Sequence, residues 1–524
     1  MAPPREEGKF SSFRNIVVSC RSISRYESKR FKTLLPQIFA TTIVMCTNIL
    51  VGITYGYSAI LIPKIIDQQN STDPGAIPVT QTEVSWIISC VMVITPVGAM
   101  SGGIIMDAIG RLNMLKVMAV PSVLGWTLLA LSSNVPMLIG GRLLTGIALV
   151  WAANPAAVYI TEISRPDVRG SFASSCSLGA SIGMVLVYIK GLYLDWRVVA
   201  WLNVGYAVFF TLLLFLLPES PAWLISKNRT RQAKKALEWF HKYQPQPENK
   251  TASFAEMQLV VLMRENAVKV QERQELSKNG TMQVLKMFGQ PIGYKPIFIT
   301  LGLYFFQQFS GIHVIIFNGV IFFKEMGTTI DPYLATVYIG VMRLIMTLVN
   351  AILMKRFRRR TLMMISGIGM AVFMGISGLY TKWLKDGTTT SNWIPLTALM
   401  LYFIFAIGFM AIPFSIQAEV FPLAIRGVAH AVVSSVANFL VFCALQAYFP
   451  LIELFSGSSG LQFFYGTMAL GGALFVFVFM PETHNKKLSE IEAYFWKHTT
   501  YLSVPQEENE DKDAKLRAII TSHD

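Results

Sequence analysis

The chain has 524 residues, 53% of them hydrophobic and only 15% charged, with 35 Phe and 25 Met. A soluble protein carries about a quarter charged residues, so this chain lacks the polar surface to coat several globules, and a water-soluble enzyme built mainly from it is excluded. The net charge of +14 accompanies so large an apolar mass that nucleic-acid binding is a poor reading of it.

Residues 1–36 are polar and basic, holding Arg5, Lys9, Arg14, Arg21, Arg25, Lys29, Arg30 and Lys32. No cleavable signal peptide is expected there, because the first apolar run is too long for one. A bilayer-crossing helix needs about 20 mostly apolar residues, and twelve such stretches follow. Six lie at 37–60, 84–106, 114–134, 136–161, 171–192 and 198–217, and six at 296–323, 333–354, 361–382, 393–418, 428–450 and 461–480. The pattern predicts an all-α polytopic membrane protein. Its parts are a cytoplasmic arm over 1–36, a six-helix bundle over 37–217, a helical linker domain over 218–295, a second bundle over 296–481 and a tail over 482–524. Within the linker, Ala233, Leu237 and Phe240 recur at helical spacing beside Lys234, Lys235 and Lys242, the pattern of amphipathic helices. The tail's Glu507-Glu508-Asn509-Glu510-Asp511 run reads as solvated and disordered.

Basic residues set the orientation. The arm, the start of the linker and the turn Lys355-Arg356-Phe357-Arg358-Arg359-Arg360 share one side of a twelve-span arrangement, whereas the connection 61–83 holds only Lys64. Both termini are therefore expected in the cytoplasm. Asn70-Ser71-Thr72 then falls outside as a glycosylation acceptor, while the patterns at Asn228 and Asn249 fall inside and stay bare. Cys46, Cys90, Cys176 and Cys443 lie in spans and Cys20 in the arm, so no disulfides are expected.

The chain repeats itself. Glu162 to Arg169-Gly170 closes the fourth span and Glu419 to Arg426-Gly427 closes the tenth, both with the spacing Glu-x6-Arg-Gly. Pro218-Glu219-Ser220 follows the sixth span and Pro481-Glu482-Thr483 the twelfth. Asp107 to Arg111 forms a basic turn in the first half, and Arg356 to Arg360 one in the second. Two related halves point to a transporter with its substrate path between them. With Gly141-Arg142, Tyr159-Ile-Thr-Glu162 and Gln307-Gln308-Phe309-Ser310-Gly311-Ile312, these motifs resemble the sugar porter family of the major facilitator superfamily over residues 35–495. The insect facilitative trehalose transporters are among its closer-looking members.

The resemblance implies two six-helix bundles, a cytoplasmic helical domain and alternating access. It also assigns Asp107, Arg111, Glu162, Arg169 and Glu219, with Arg359, Glu419, Arg426 and Glu482, to gating ion pairs between the bundles. Duplication favours the pairings Glu162 with Arg169 and Glu419 with Arg426, the second basic turn forming the looser latch. Positive-inside anchoring is the plainer alternative for the arginines. Gln307 and Gln308 match the family's sugar-contacting pair, and their amides both donate and accept. Interhelical bonding is the alternative use of such amides.

The remaining expected contacts are altered in this sequence. His313 and Arg343 stand where the family has Asn, Phe414 where it has Trp, Ser177 where it has Gln, and Asn318 follows Phe317 in place of an aromatic pair. Ala406 replaces an acid, and Asn438 lies one residue past the usual Asn position. A charge at the bilayer centre costs at least about 2.5–3.5 kcal/mol, so Arg343 is expected to face the central cavity and meet substrate together with His313. The alternative is that Arg343 caps carbonyls at a helix break. Proton-driven members carry an Asp after a Gly-Tyr pair in span one; here Gly56-Tyr57 is followed by Ser58, which favours uniport.

The expected function is facilitated diffusion of a sugar, trehalose or a hexose. The alternatives are carriage of an anionic or lipophilic solute and a membrane sugar sensor. No metal-ligand spacing, nucleotide loop or catalytic triad is present, so no cofactor, metal or enzymatic activity is expected. The expected partners are the lipid bilayer and a small solute, with no nucleic acid and a monomeric chain in the plasma membrane.

Overall fold

The computed structural model describes residues 31–71, 76–245, 253–278, 286–327, 330–388, 393–422, 425–484, 486 and 488–497. Cys20, Thr72, the 249–251 pattern and the acidic run at 507–511 lie outside the described residues. Among the described residues, twelve helical segments are long and apolar enough to cross a membrane. Spans one to six are Phe31–Asn70, Gln81–Ile109, Arg111–Ala130, Val135–Ile163, Arg169–Tyr193 and Trp196–Leu214. Spans seven to twelve are Pro291–Met326, Pro332–Met354, Arg359–Lys385, Ile394–Val420, Arg426–Gln446 and Ser458–Phe479.

Local chemistry sets where these helices start and bend. Thr80 and Glu83 close a reciprocal capping box at the start of span two, and Asn134 and Asp195 cap spans four and six. Span two is interrupted at Ile94, just before Pro96, which has no N–H to give. Span seven breaks at Ser310-Gly311, between helices Pro291–Phe309 and Ile312–Met326.

Small residues let spans one and five cross at backbone contact. A Cβ on Gly52 would lie 1.8 Å from the Ala180 carbonyl oxygen, and one on Gly183 would lie 2.0 Å from that of Ile49. The two spans present Gly52-x3-Gly56 and Gly179-x3-Gly183 to each other, the small-x3-small pattern by which helices associate in lipid.

The halves meet through several pairs of spans. Span one meets span seven through Tyr55 and Phe317, rings edge-on at 5.7 Å, and through Lys324 and Asp67 at 2.8 Å. Trp86 packs on Phe442 at 5.6 Å, and Gln446 donates to Ser89 at 3.1 Å, joining spans two and eleven. Spans five and eight share a hydroxyl pair, Ser181 with Thr347, at 2.9 Å.

Between the halves, helices Pro221–Ser226, Thr230–Phe240 and Phe254–Lys278 form a small polar-faced unit. Its core joins Trp223, Leu224, Ala233, Leu237, Ala255 and Leu259, and Lys234 pairs with Glu256 at 2.7 Å. The Trp223 indole N–H donates to the Asp107 carbonyl at 3.1 Å, and Phe240 shares a cluster with Ala40 and Leu112. The linker helices thereby rest on the first half.

Candidate functional site

The break in span seven creates the site's polarity. Gly311 holds φ at +92°, a conformation that favours glycine, and a Cβ there would lie 2.5 Å from the Tyr465 ring. Just before the break, Gln307 and Gln308 are buried. Gln307 donates to the Phe409 carbonyl at 2.6 Å, and Gln308 donates to Gln307 at 3.2 Å, which leaves the Gln308 carbonyl oxygen unpartnered. After the break the helix is irregular again at Asn318, with φ −117° and ψ 19°. The Asn318 amide donates to Val314 O at 3.2 Å, while its own Oδ1 has no partner. His313 Nδ1 is likewise buried without a partner. One run of chain thus carries three buried polar atoms with no protein partner, and leaving such an atom unpaired costs about 1–3 kcal/mol.

Arg343 approaches from span eight. Its Nη1 lies 3.1 Å from the Met184 sulfur of span five, and its Nε has no partner. Tyr55 of span one, Tyr188 of span five and His313 of span seven lie within its electrostatic reach. The Tyr188 hydroxyl donates to Ile316 O at 2.7 Å, fastening span five to span seven. One turn from Arg343, Gly340 lets the Tyr188 ring against span eight. Arg343 and His313 are thus brought together where both halves meet. No capping of carbonyls by the Arg343 guanidinium is found among the described residues.

Other expected contacts lie apart from this group. Phe414 is 57% exposed and packs edge-on against Tyr304 at 5.4 Å. Asn438 donates within its own helix, to Ser434 O at 2.9 Å. The Ser177 side chain is exposed, and its carbonyl accepts from Ser181 at 3.0 Å. No described contact joins these three to Arg343.

Arg142 is a fully buried residue to which the sequence reading gave no role. It donates from Nε to Ile87 O at 3.3 Å, from Nη1 to Thr54 O at 3.2 Å and from Nη2 to the Ser58 hydroxyl. The adjacent Ser58 was the available signal, since the span-one residue that would distinguish proton-driven members is the one it touches.

The repeated charges form two clusters, each inside one half. Arg111 bonds Glu162 at 3.2 Å and Asp107 at 3.4 Å. The Glu219 carboxylate accepts from the backbone N–H groups of Arg111, Leu112 and Asn113 at 3.0–3.2 Å, an anion seated on a helix N-terminus. Ser220 donates to Glu162. In the second half Arg359 pairs with Glu419 and donates to Thr483 at 3.1 Å. Glu482 accepts from the N–H groups of Arg359 at 3.2 Å and Arg360 at 3.3 Å.

In this arrangement Glu162 and Glu419 pair with Arg111 and Arg359 rather than with Arg169 and Arg426. Arg169 is exposed and makes no ion pair among the described residues, and Arg426 donates to the Phe421 carbonyl at 3.1 Å. The chain leaves the helix after Ile163 and after Val420, which carries each arginine away from its acid. Arg359 takes the place in the second half that Arg111 takes in the first.

Known proteins place this architecture. The profile of the family described as sugar (and other) transporter matches residues 40–495. A facilitated trehalose transporter of Apis mellifera ligustica is 33% identical over 462 residues, covering 88% of each chain. A facilitated trehalose transporter of Drosophila virilis is 32% identical over 87% of this chain, which spans only 48% of that longer relative. Among solved structures, the inward-open xylose transporter XylE from E. coli superposes with a TM-score of 0.67 at 23% identity, over 86% of this chain and 98% of that one. The likeness to XylE is one of fold, whereas the profile match runs nearly end to end over the twelve spans, and on it the chain belongs to the sugar (and other) transporter family.

Proposed function

We propose that the chain is a facilitative sugar carrier that works by alternating access, with its solute site between the halves at the break in span seven. One observation carries the reading: unpartnered polar atoms of Gln308, His313 and Asn318 on that broken segment, in a chain whose relatives include facilitated trehalose transporters. Sugar hydroxyls supply both the donors and the acceptors these atoms lack. Trehalose and hexoses are the first solutes to try.

Uniport is supported by the surroundings of Arg142, which are two carbonyls and a serine hydroxyl rather than a carboxylate able to carry a proton. The positive-inside bias supports an arrangement in which the Arg111 and Arg359 clusters face the cytoplasm, with the linker domain and both termini on that side. The Asp67 end then faces outward, and Asn70, exposed at the end of span one, becomes a glycosylation site. The plasma membrane is the corresponding location. The cross-half contacts run from mid-span to the Asp67 end, and each arginine cluster stays within its own half. This is the arrangement of a carrier closed outside and open inside, whose latches re-pair across the halves when it turns over.

Uptake of labelled trehalose and glucose by protein-expressing oocytes at two pH values tests the reading. Saturable, pH-insensitive uptake is expected, reduced at least tenfold in Gln308→Leu at equal surface expression. Absence of sugar uptake by surface-expressed protein overturns it, and uptake that rises with acidity overturns uniport.

A further inference from the structure

Two arginines lie within the spans away from their ends, and the structure treats them oppositely. Arg142 directs its guanidinium to two backbone carbonyls and a hydroxyl, so each of its three side-chain nitrogens has a partner. Arg343 has one thioether sulfur, a weak acceptor, and a buried Nε with nothing to bond. The groups around it are Tyr55, Tyr188 and His313, and no carboxylate pairs with it among the described residues. The Tyr188 hydroxyl is already committed as a donor to Ile316. A guanidinium cannot shed its proton to escape the penalty.

We propose that Arg343 is an anion subsite and that the carrier takes sugar acids, hexose-sized solutes bearing a carboxylate, in preference to the neutral sugar. Alternating access requires an occluded state in which both ends are shut and the cavity loses its water. In that state a neutral sugar leaves the Arg343 charge uncompensated, whereas a carboxylate neutralises it through paired charge-assisted bonds. One guanidinium, with no lysine recorded beside it among the described residues, matches a single negative charge, which favours a carboxylate over a doubly charged phosphate. His313 Nδ1 and Asn318 Oδ1 remain for hydroxyls, and the Tyr55 and Phe317 rings offer an apolar wall.

The inference rests on the sugar-carrier reading and narrows its cargo. The test uses the full chain in proteoliposomes, with labelled D-glucuronate and D-glucose as probes and wild type beside Arg343→Gln and Arg343→Lys. Wild type is expected to take up glucuronate faster than glucose, and faster still under an inside-positive potential, because an anion crosses alone. Arg343→Gln is expected to lower the glucuronate-to-glucose ratio at least tenfold, with Arg343→Lys between the two. Glucose uptake without glucuronate uptake, or an unchanged ratio in Arg343→Gln, overturns the subsite and leaves the sugar carrier standing. No uptake of either probe by folded protein overturns both. If Arg343→Gln fails to fold, the wild-type ratio and its potential dependence still decide.

Discussion

At the residue scale, Arg142 is held as a structural strut. Its donors reach span one at Thr54 and Ser58 and span two at Ile87, so one side chain in span four clamps three helices. Arg142→Ala removes those bonds and empties the volume of one of the largest fully buried side chains. The expected cost is on the order of 3 kcal/mol, combining lost charge-assisted bonds with a cavity. Thermal unfolding of detergent-solubilised protein should show the loss, with Arg142→Met recovering the part due to volume. An unchanged midpoint in Arg142→Ala would mean that the clamp contributes nothing to stability.

His241, in the linker, makes a second residue-scale prediction. Its ring lies edge-on to Phe254 at 4.9 Å. Burial pushes its pKa down from 6.5 to about 4, and the nearby Arg165 adds to the fall. The unfolded segment therefore binds a proton that the folded one refuses. The stability that neutral His241 permits is complete above pH 6.5 and is lost as the pH falls from there towards 4, by about 3 kcal/mol across that window. Limited proteolysis of the linker at pH 7 and pH 5 should show faster cleavage at the lower value, and His241→Phe should remove the difference.

At the scale of elements, the crossing of spans one and five depends on missing side chains. Gly183→Val would drive branched carbons into the Ile49 carbonyl, which sits in a helical backbone and cannot step aside. Overpacking of this kind costs about 1–3 kcal/mol, and the damage should reach function, because Tyr188 and Met184 approach Arg343 from the same helix. The measurement is sugar uptake per surface copy, expected to fall more steeply than surface expression itself. An equal fall in both would confine the glycine to folding.

The same elements show what a sequence discloses. Twelve apolar runs are legible because the bilayer imposes one length on every span, and the repeated motifs are legible because they are local. Ion-pair partners were not. Glu162 and Arg169 are close in sequence, yet the helix ends between them, and Glu162 pairs with Arg111 from 51 residues away. Arg343 could be picked out as a charge in an apolar run, but its neighbours Tyr55, Tyr188 and Met184 come from the other half, and no local pattern announces them. Phe414, Asn438 and Ser177 were placed by correspondence of position, which does not specify where a side chain packs.

At the scale of the whole molecule, the question is what keeps the Asp67 end shut. Lys324 reaches both carboxylate oxygens of Asp67 at 2.8 Å across the two halves. Their side chains are 39% and 52% exposed, so water and salt screen the attraction and the pair is worth about 0–1 kcal/mol. An energy this small suits a gate, because a carrier locked by several kcal/mol in one state would rarely visit the other. Asp67→Asn removes the charge without removing the side chain, and it should raise the population open at the Asp67 end by up to about fivefold, the equivalent of 1 kcal/mol. Spin labels at the Asp67 and Lys324 ends of spans one and seven would report this as a larger long-distance fraction. High salt should move wild type the same way and leave Asp67→Asn unmoved. If the distances in Asp67→Asn match wild type, closure resides in the packed pairs Tyr55–Phe317 and Trp86–Phe442, which salt does not screen.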